Sequence, residues 1–168
     1  IYYACTSASA VIGDDAVDRT IAAAHPGVPV VTPTRAALRA FEALSARRIA
    51  LVTPYLEETA TPMISYFGQC GIEVTSALCF GFEDDRVMAR ITPESLLATA
   101  AQADTASADA VFVSCTALPA VDIVAKLEDR IGLPVVTANQ AALWVLRRHA
   151  GLTGDPGGCG SLFAHAPD

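Results

Sequence analysis

The chain has 168 residues, 52% of them hydrophobic, with 11 basic against 18 acidic side chains and a formal net charge of −7. That length supports one compact domain, or two small half-domains sharing a cleft, and the acidic balance leaves no basic face on which nucleic acid or an anionic membrane could release counterions. Neither is expected as a partner. No apolar run reaches the roughly 18 residues of a membrane helix, and the first residues lack the basic and apolar regions of a secretory signal, so the expected location is cytoplasmic.

In chain order, "YYACTSAS" (2–9) runs an apolar strand into Cys5-Thr6. Three runs rich in β-branched residues follow, "RRIALVTPY" (47–55), "GIEVTSALCF" (71–80) and "ADAVFVSCT" (108–116), alternating with helical stretches at 57–70 and 93–104. This β-α-β-α-β alternation predicts an α/β fold with a parallel sheet covered on both faces. Pro62 is expected in the first turn of its helix and Gly71 at its end. "TPES" (92–95) reads as an N-cap threonine, a proline at the first helical position and a first-turn glutamate. After Cys115 a helix is expected at about 119–130, ended by Gly132, then strand "LPVVT" (133–137) and a last helix at about 139–149, ended by Gly151. Residues 153–168 are Gly- and Pro-rich without a period and read as a loose tail, in which Cys159 is incidental.

The chain also repeats itself. "GVPVVTPTRAAL" (27–38) and "GLPVVTANQAAL" (132–143) agree at eight of twelve positions at a separation of 105, and Cys5-Thr6 and Cys115-Thr116 stand 110 apart. Two segments repeating in the same order indicate an internal duplication of the unit strand-Cys-Thr-helix-strand-helix. The expected organisation is a remnant of a first α/β lobe over 1–45, a second lobe over 46–152 and the tail at 153–168. Some 60 residues preceding the second cysteine strand have no counterpart in the first copy, so an N-terminal segment of that length is expected to be missing ahead of Ile1.

The five cysteines, Cys5, Cys70, Cys79, Cys115 and Cys159, are odd in number and contain no C-x-x-C, and His25, His149 and His165 show no ligand spacing. This argues against a disulfide framework and against a metal site. In an open parallel sheet, ligands bind outside the carboxyl ends of the strands, where both Cys-Thr pairs fall. A cysteine facing a helix N-terminus there meets free N–H groups and the positive end of the helix dipole, which favour thiolate. With the hydroxyls of Thr6, Ser7 and Thr116, the same N–H groups form a pocket suited to a carboxylate. Two opposed thiols can move protons on opposite faces of one carbon, or one can add covalently while the other serves as acid. Tyr55 ends its strand at the same edge, placed to bind the carboxylate. The run Glu83-Asp84-Asp85 reads as a solvated or helix-capping loop, with an amine-bearing substrate as the functional alternative. Cys70 and Cys79 read as small core residues.

"YACTSAS", "RRIALVTPY", "GFEDDRVMARITPES" and "ADAVFVSCTALPAVDIVAKLEDRIGLPVVTANQAALW" together resemble the aspartate/glutamate racemase superfamily, over about residues 1–152. Within it they resemble the branch of maleate cis-trans isomerase, arylmalonate decarboxylase and the ectoine-utilisation protein A, the last being the nearest in wording. The resemblance implies two Rossmann-like lobes related by a pseudo-twofold, a site between them and no cofactor. Cys5 would be nucleophile or base and Cys115 its acid/base partner, with Thr6, Ser7, Tyr55 and Thr116 binding substrate carboxylates. Arylmalonate decarboxylases resemble the chain too, but carry glycine where Cys5 stands, so the two thiols disfavour decarboxylation. Maleate isomerases use an asparagine near the loop that reads Glu83-Asp84-Asp85 here, and an acidic loop repels a dicarboxylate. The expected function is a cofactor-independent isomerase or racemase acting on a small carboxylate in ectoine or hydroxyectoine breakdown. The alternatives are a maleate isomerase, a decarboxylase, or a carboxylate-binding relative without chemistry. Alanine-rich apolar helices suit a homo-oligomer.

Overall fold

The computed structural model describes residues 1–152, 154 and 156–165. Three of its four strands are short apolar runs: β1 (Arg48–Thr53), β3 (Ala110–Val113) and β4 (Val135–Thr137) are buried at every position except Arg48. That is the signature of a parallel sheet sandwiched between helices. β2 (Glu73–Cys79) is only partly buried and takes an edge. All pairings are parallel, in the order β2-β1-β3-β4, as the alternation of elements predicts. The chain runs outward from β1 to β2 and returns to β3 on the other side of β1. This reversal makes the carboxyl ends of β1 and β3 the topological switch point, where a crevice opens in such sheets.

At the opposite, amino edge, Asp109 accepts from the backbone of Arg47 (3.0 Å) and Arg48 (2.9 Å) and from the Arg48 guanidinium (2.7 Å). The Arg48 hydrogen bond above all holds its carboxyl down at about 2. This clamp aligns β1 and β3 where they start, leaving their other ends for the site.

Helices follow their local signals with two exceptions. α6 (Pro93–Ala100) is capped by Thr92, whose hydroxyl accepts from Ser95 N at 3.2 Å. α7 (Val124–Ile131) ends on Gly132 at φ 72°, a left-handed position that costs other residues strain. α8 (Ala138–His149) opens with a reciprocal capping box between Thr137 and Gln140. The first exception is α4 (Glu57–Gln69), where Pro62 sits inside the helix and not in its first turn; the missing N–H falls on a turn whose neighbours Thr61 and Pro62 face solvent. The second follows Cys115: a turn occupies 116–119, a 3-10 turn spans Ala120–Ile123, and α7 starts only at Val124. A short α5 (Asp85–Met88), capped by Asp84, was not anticipated.

Residues 1–45 add no strand to the sheet. The expected strand into Cys5 is a single parallel bridge, Tyr2 with Val31, flanked by Tyr3 N to Val31 O (2.9 Å) and Val31 N to Ile1 O (2.8 Å). α1 (Thr6–Ile12), α2 (Asp14–Ala24) and α3 (Pro33–Ala43) follow. α3 packs on α8, the helix of the other sequence copy, and α1 packs on α4. Phe41 of α3 meets Phe67 of α4 and Phe112 of β3 edge-on, with ring centroids 5.5–5.7 Å apart and all three rings fully buried. Asp14, 6% exposed, accepts from the hydroxyls of Thr32 (2.6 Å) and Thr34 (2.5 Å), and from Tyr66 of α4. A buried carboxylate thus gathers three hydroxyl donors, one from across the molecule.

The tail is not wholly loose. Gln140 donates to Cys159 O (2.5 Å), Glu128 accepts from Ser161 N (2.9 Å) and Oγ (2.7 Å), and Leu162 is fully buried. Apolar Leu162 and Phe163 supply the burial that a reading of glycine and proline content overlooks. Residues 153, 155 and 166–168 of that expectation lie outside the described residues. Among the described residues, no helix is long and apolar enough to cross a membrane.

Removing one ring of the aromatic cluster leaves a cavity shared by three elements. Phe112→Ala should lower unfolding free energy by about 3–5 kcal/mol in urea titrations, against a change within about 0.5 kcal/mol for the exposed control Val11→Ala.

Candidate active site

Cys5 stands at the N-cap of α1 in extended conformation (φ −147°), partly exposed. Its Sγ lies 3.8 Å from Ser7 Oγ, and Ser9 Oγ donates to its carbonyl at 2.7 Å. Cys115 follows β3 at the switch point and is 3% exposed. Its Sγ accepts from Ala117 N at 3.4 Å. In each copy, therefore, the thiol is approached by the residue two positions on. Cys115 has φ 138°, a region costly for any side chain. Such strain costs of order 1–3 kcal/mol and persists at sites that the surrounding structure over-determines. Its neighbour Ser114 is fully buried and donates to Met63 Sδ at 3.1 Å, which anchors the turn from behind.

Tyr55, two residues past β1 and 5% exposed, joins the two cysteines. Its hydroxyl approaches the Cys115 thiol and the Ser7 hydroxyl. Burial first, then the charge and hydrogen bonding of Cys115, push its pKa above the ordinary tyrosine value. It stays a neutral donor through the physiological range. Thr6 is fully buried and its hydroxyl has no hydrogen-bond partner among the described residues, a donor left open immediately after Cys5. Thr116, by contrast, gives its hydroxyl proton to Ala4 O (2.9 Å). The hydroxyl expected to bind a substrate carboxylate is instead committed to the loop that carries the other cysteine.

The two thiols occupy different electrostatic settings. Sequence reasoning expected both to face helix N-termini; only Cys5 does. Cys115 faces the turn at 116–119, and burial pushes its thiol pKa up, opposed by the hydrogen bonds from Tyr55 and Ala117 and reinforced by the charge of Asp85. A thiol of this kind is protonated at neutral pH and poised to give a proton. Asp85 reaches this region because the chain beyond β2 stays paired: Gly81 N donates to Tyr55 O (3.1 Å) and Phe82 N to Pro54 O (2.9 Å). Asp84 fills the capping role foreseen for the loop, accepting from Arg86 N (2.8 Å) and pairing with its guanidinium (2.9 Å). Asp85 is exposed and makes no ion pair among the described residues.

Two site residues escaped the sequence reading. Tyr2 lies close enough to Cys5 that burial, and then that thiol, raise its pKa; its hydroxyl reaches Asn139 Oδ1 at 3.4 Å. Asn139 Nδ2 donates to Thr116 O at 2.9 Å. A signal for Asn139 existed, since it is a polar residue in the first turn of a buried helix within the repeated motif, opposite Thr34 of the other copy. Cys79 ends β2, and burial followed by the charge of Glu57 raises its thiol pKa, in keeping with an unreactive packing role.

Alkylation of Cys115 by iodoacetamide, followed peptide by peptide, should rise with pH along a curve whose midpoint lies above the ordinary thiol value of about 8.5. Asp85→Asn removes a negative charge that opposes thiolate, so the midpoint should fall. An unmoved midpoint would mean that Asp85 does not act on this thiol.

The chain is 31% identical over 139 residues to a maleate isomerase of Pseudomonas putida, covering 82% of this chain and 56% of that protein. It is 29% identical over 127 residues to the arylmalonate decarboxylase of Bordetella bronchiseptica, covering 74% and 53%. The fold superposes with a TM-score of 0.89, at 27% identity, on a cysteine-to-serine variant of the maleate cis-trans isomerase of Nocardia farcinica with a covalently bound succinylcysteine intermediate, covering 97% of this chain and 70% of that one. The chain spans about half the length of the curated relatives it matches. The arylmalonate decarboxylase family model matches residues 6–163, and the chain belongs to that family, in the branch it shares with the maleate isomerases.

Proposed function

We propose that the protein is a cofactor-independent isomerase or racemase that works through two opposed cysteines, Cys5 and Cys115, on a small carboxylate that also bears nitrogen, of the kind met in ectoine or hydroxyectoine breakdown. The observation that carries this reading is the convergence of two cysteines on one buried tyrosine: Tyr55 lies beside Cys115 and Ser7 and near enough to Cys5 to feel its charge. Cys5 takes a proton from the carbon beside the carboxylate, or adds to an unsaturated carbon. Cys115, held protonated by burial, delivers its proton to the opposite face or to the carbanion so formed. Negative charge accumulating on the carboxylate is received by donors already in place, the hydroxyls of Thr6, Ser7 and Tyr55. Among the described residues, the buried Thr6 hydroxyl has no hydrogen-bond partner, which leaves it free for that role.

Asp85 supports the nitrogen. A second substrate carboxylate would meet its charge near Cys115, with no cation paired to it among the described residues, whereas an ammonium or amidinium group would be attracted. The names of the relatives favour a second reading, cis-trans isomerisation of maleate itself. Decarboxylation requires only one thiol by the resemblance, and leaves Cys5 without a task.

Proton NMR in deuterium oxide on the full-length protein, with ectoine, hydroxyectoine, aspartate and maleate in turn, tests these readings. Solvent exchange or isomerisation is expected with a nitrogen-bearing carboxylate, and Cys5→Ala or Cys115→Ala should each lower it at least about a thousandfold. Conversion of maleate to fumarate would select the second reading and release of carbon dioxide the decarboxylase, while undiminished turnover in either cysteine variant would reject two-thiol chemistry.

A further inference from the structure

We propose that Asn139 is a positioning residue that sets how far apart the Cys5 and Cys115 thiols stand; the proposal rests on the two-thiol reading above. Its amide is shared by both cysteine loops. Nδ2 donates to Thr116 O at 2.9 Å, and Oδ1 accepts from the Tyr2 hydroxyl at 3.4 Å. Thr116 Oγ1 donates across to Ala4 O at 2.9 Å. A closed circuit therefore runs from Asn139 to Thr116, across to Ala4, back along the chain to Tyr2 and again to Asn139. Thr116 is covalently next to Cys115, and Ala4 is next to Cys5.

The amide hangs from a rigid support. Asn139 is the second residue of α8, between Ala138 and Gln140, both buried, and the capping box of Thr137 and Gln140 closes the first turn around it. Only a side chain with one donor end and one acceptor end, on a stem this short, serves both loops. Aspartate would keep an acceptor for Tyr2 and lose the donor to Thr116; leucine would lose both. Among the described residues no hydrogen bond joins Asn139 to either sulfur, so its action passes through the two loops. The equivalent position in the other sequence copy, Thr34, grips Asp14 and ties nothing to a thiol. Two-thiol chemistry needs both sulfurs within reach of one carbon, and a misplacement of about 1 Å can cost about a hundredfold in rate.

Dibromobimane reads thiol spacing without any substrate, because its two bromomethyl carbons each alkylate one sulfur and release bromide. On the full-length protein, mass spectrometry would give the Cys5–Cys115 bridged peptide as a fraction of all alkylated Cys5. A high fraction is expected in the wild type, with a fall of at least about tenfold in Asn139→Leu and a smaller fall, about threefold, in Tyr2→Phe, which removes one hydroxyl. Labelling of Cys5 by monofunctional iodoacetamide and the thermal midpoint should stay near wild type, which separates altered spacing from general damage. Should Asn139→Leu fail to fold, Tyr2→Phe decides. An unchanged bridged fraction in the folded variants overturns the positioning role and leaves the two-thiol reading standing. Absence of the bridge from the wild type overturns both.

Discussion

Phe41 is the contact on which the arrangement depends. It comes from the segment that adds no strand to the sheet, yet its ring is fully buried between Phe67 of the helix after β1 and Phe112 in the middle of β3. Edge-to-face packing at these centroid distances adds to the burial of three large apolar surfaces. Close packing transmits position, since a buried ring cannot shift without opening a void. Residues 1–45 are therefore held against the sheet by the core itself, and the Cys5 loop inherits its place from that docking. The Asp14 carboxylate, with hydroxyls from Thr32, Thr34 and Tyr66, reinforces the same seam with polar contacts.

From that seam follows the difference between the two cysteines. Both stand in similar Cys-Thr stretches, but Cys5 caps a helix and is partly exposed, whereas Cys115 is buried, strained at φ 138° and next to a tyrosine. Burial alone moves a thiol toward its neutral form. A duplicated motif has in this way been differentiated by environment, without a change in the reacting atom. The strain at Cys115 is held by a fully buried strand in front and by Ser114 anchored on Met63 behind. Tyr55 and Cys115 thus follow strand ends, whereas Cys5 stands at a helix cap.

Much of the fold was legible because its signals are local. The strands at 47–55, 71–80 and 108–116 are marked by apolar β-branched runs, and Thr92 and Gly132 mark helix ends through capping chemistry that involves only nearby residues. Failures occurred where the deciding partner is distant in sequence. Ile1–Tyr3 has strand composition but finds only Val31 to pair with. Cys159–His165 has the composition of a loose tail but finds Gln140, Glu128 and Trp144. Pro62 lies deeper in its helix than its local rules favour, at a position where Glu58, Thr61 and Pro62 are all exposed.

The same division runs through the site. The sequence places Cys115-Thr116, Tyr55 and the acidic loop by their offsets from strand ends, while Cys5-Thr6 is marked by the repeated motif and not by a strand. Folding settles the rest. Burial raises the Cys115 thiol, Asp85 comes near enough to act on it, the Thr116 hydroxyl ties to Ala4 O, and Tyr2 and Asn139 link the two cysteine loops. The reason is physical: identity and spacing along a chain set what a side chain can do, but desolvation, Coulomb interaction and hydrogen-bond commitment depend on neighbours up to 137 positions away, which exist only once the chain has folded.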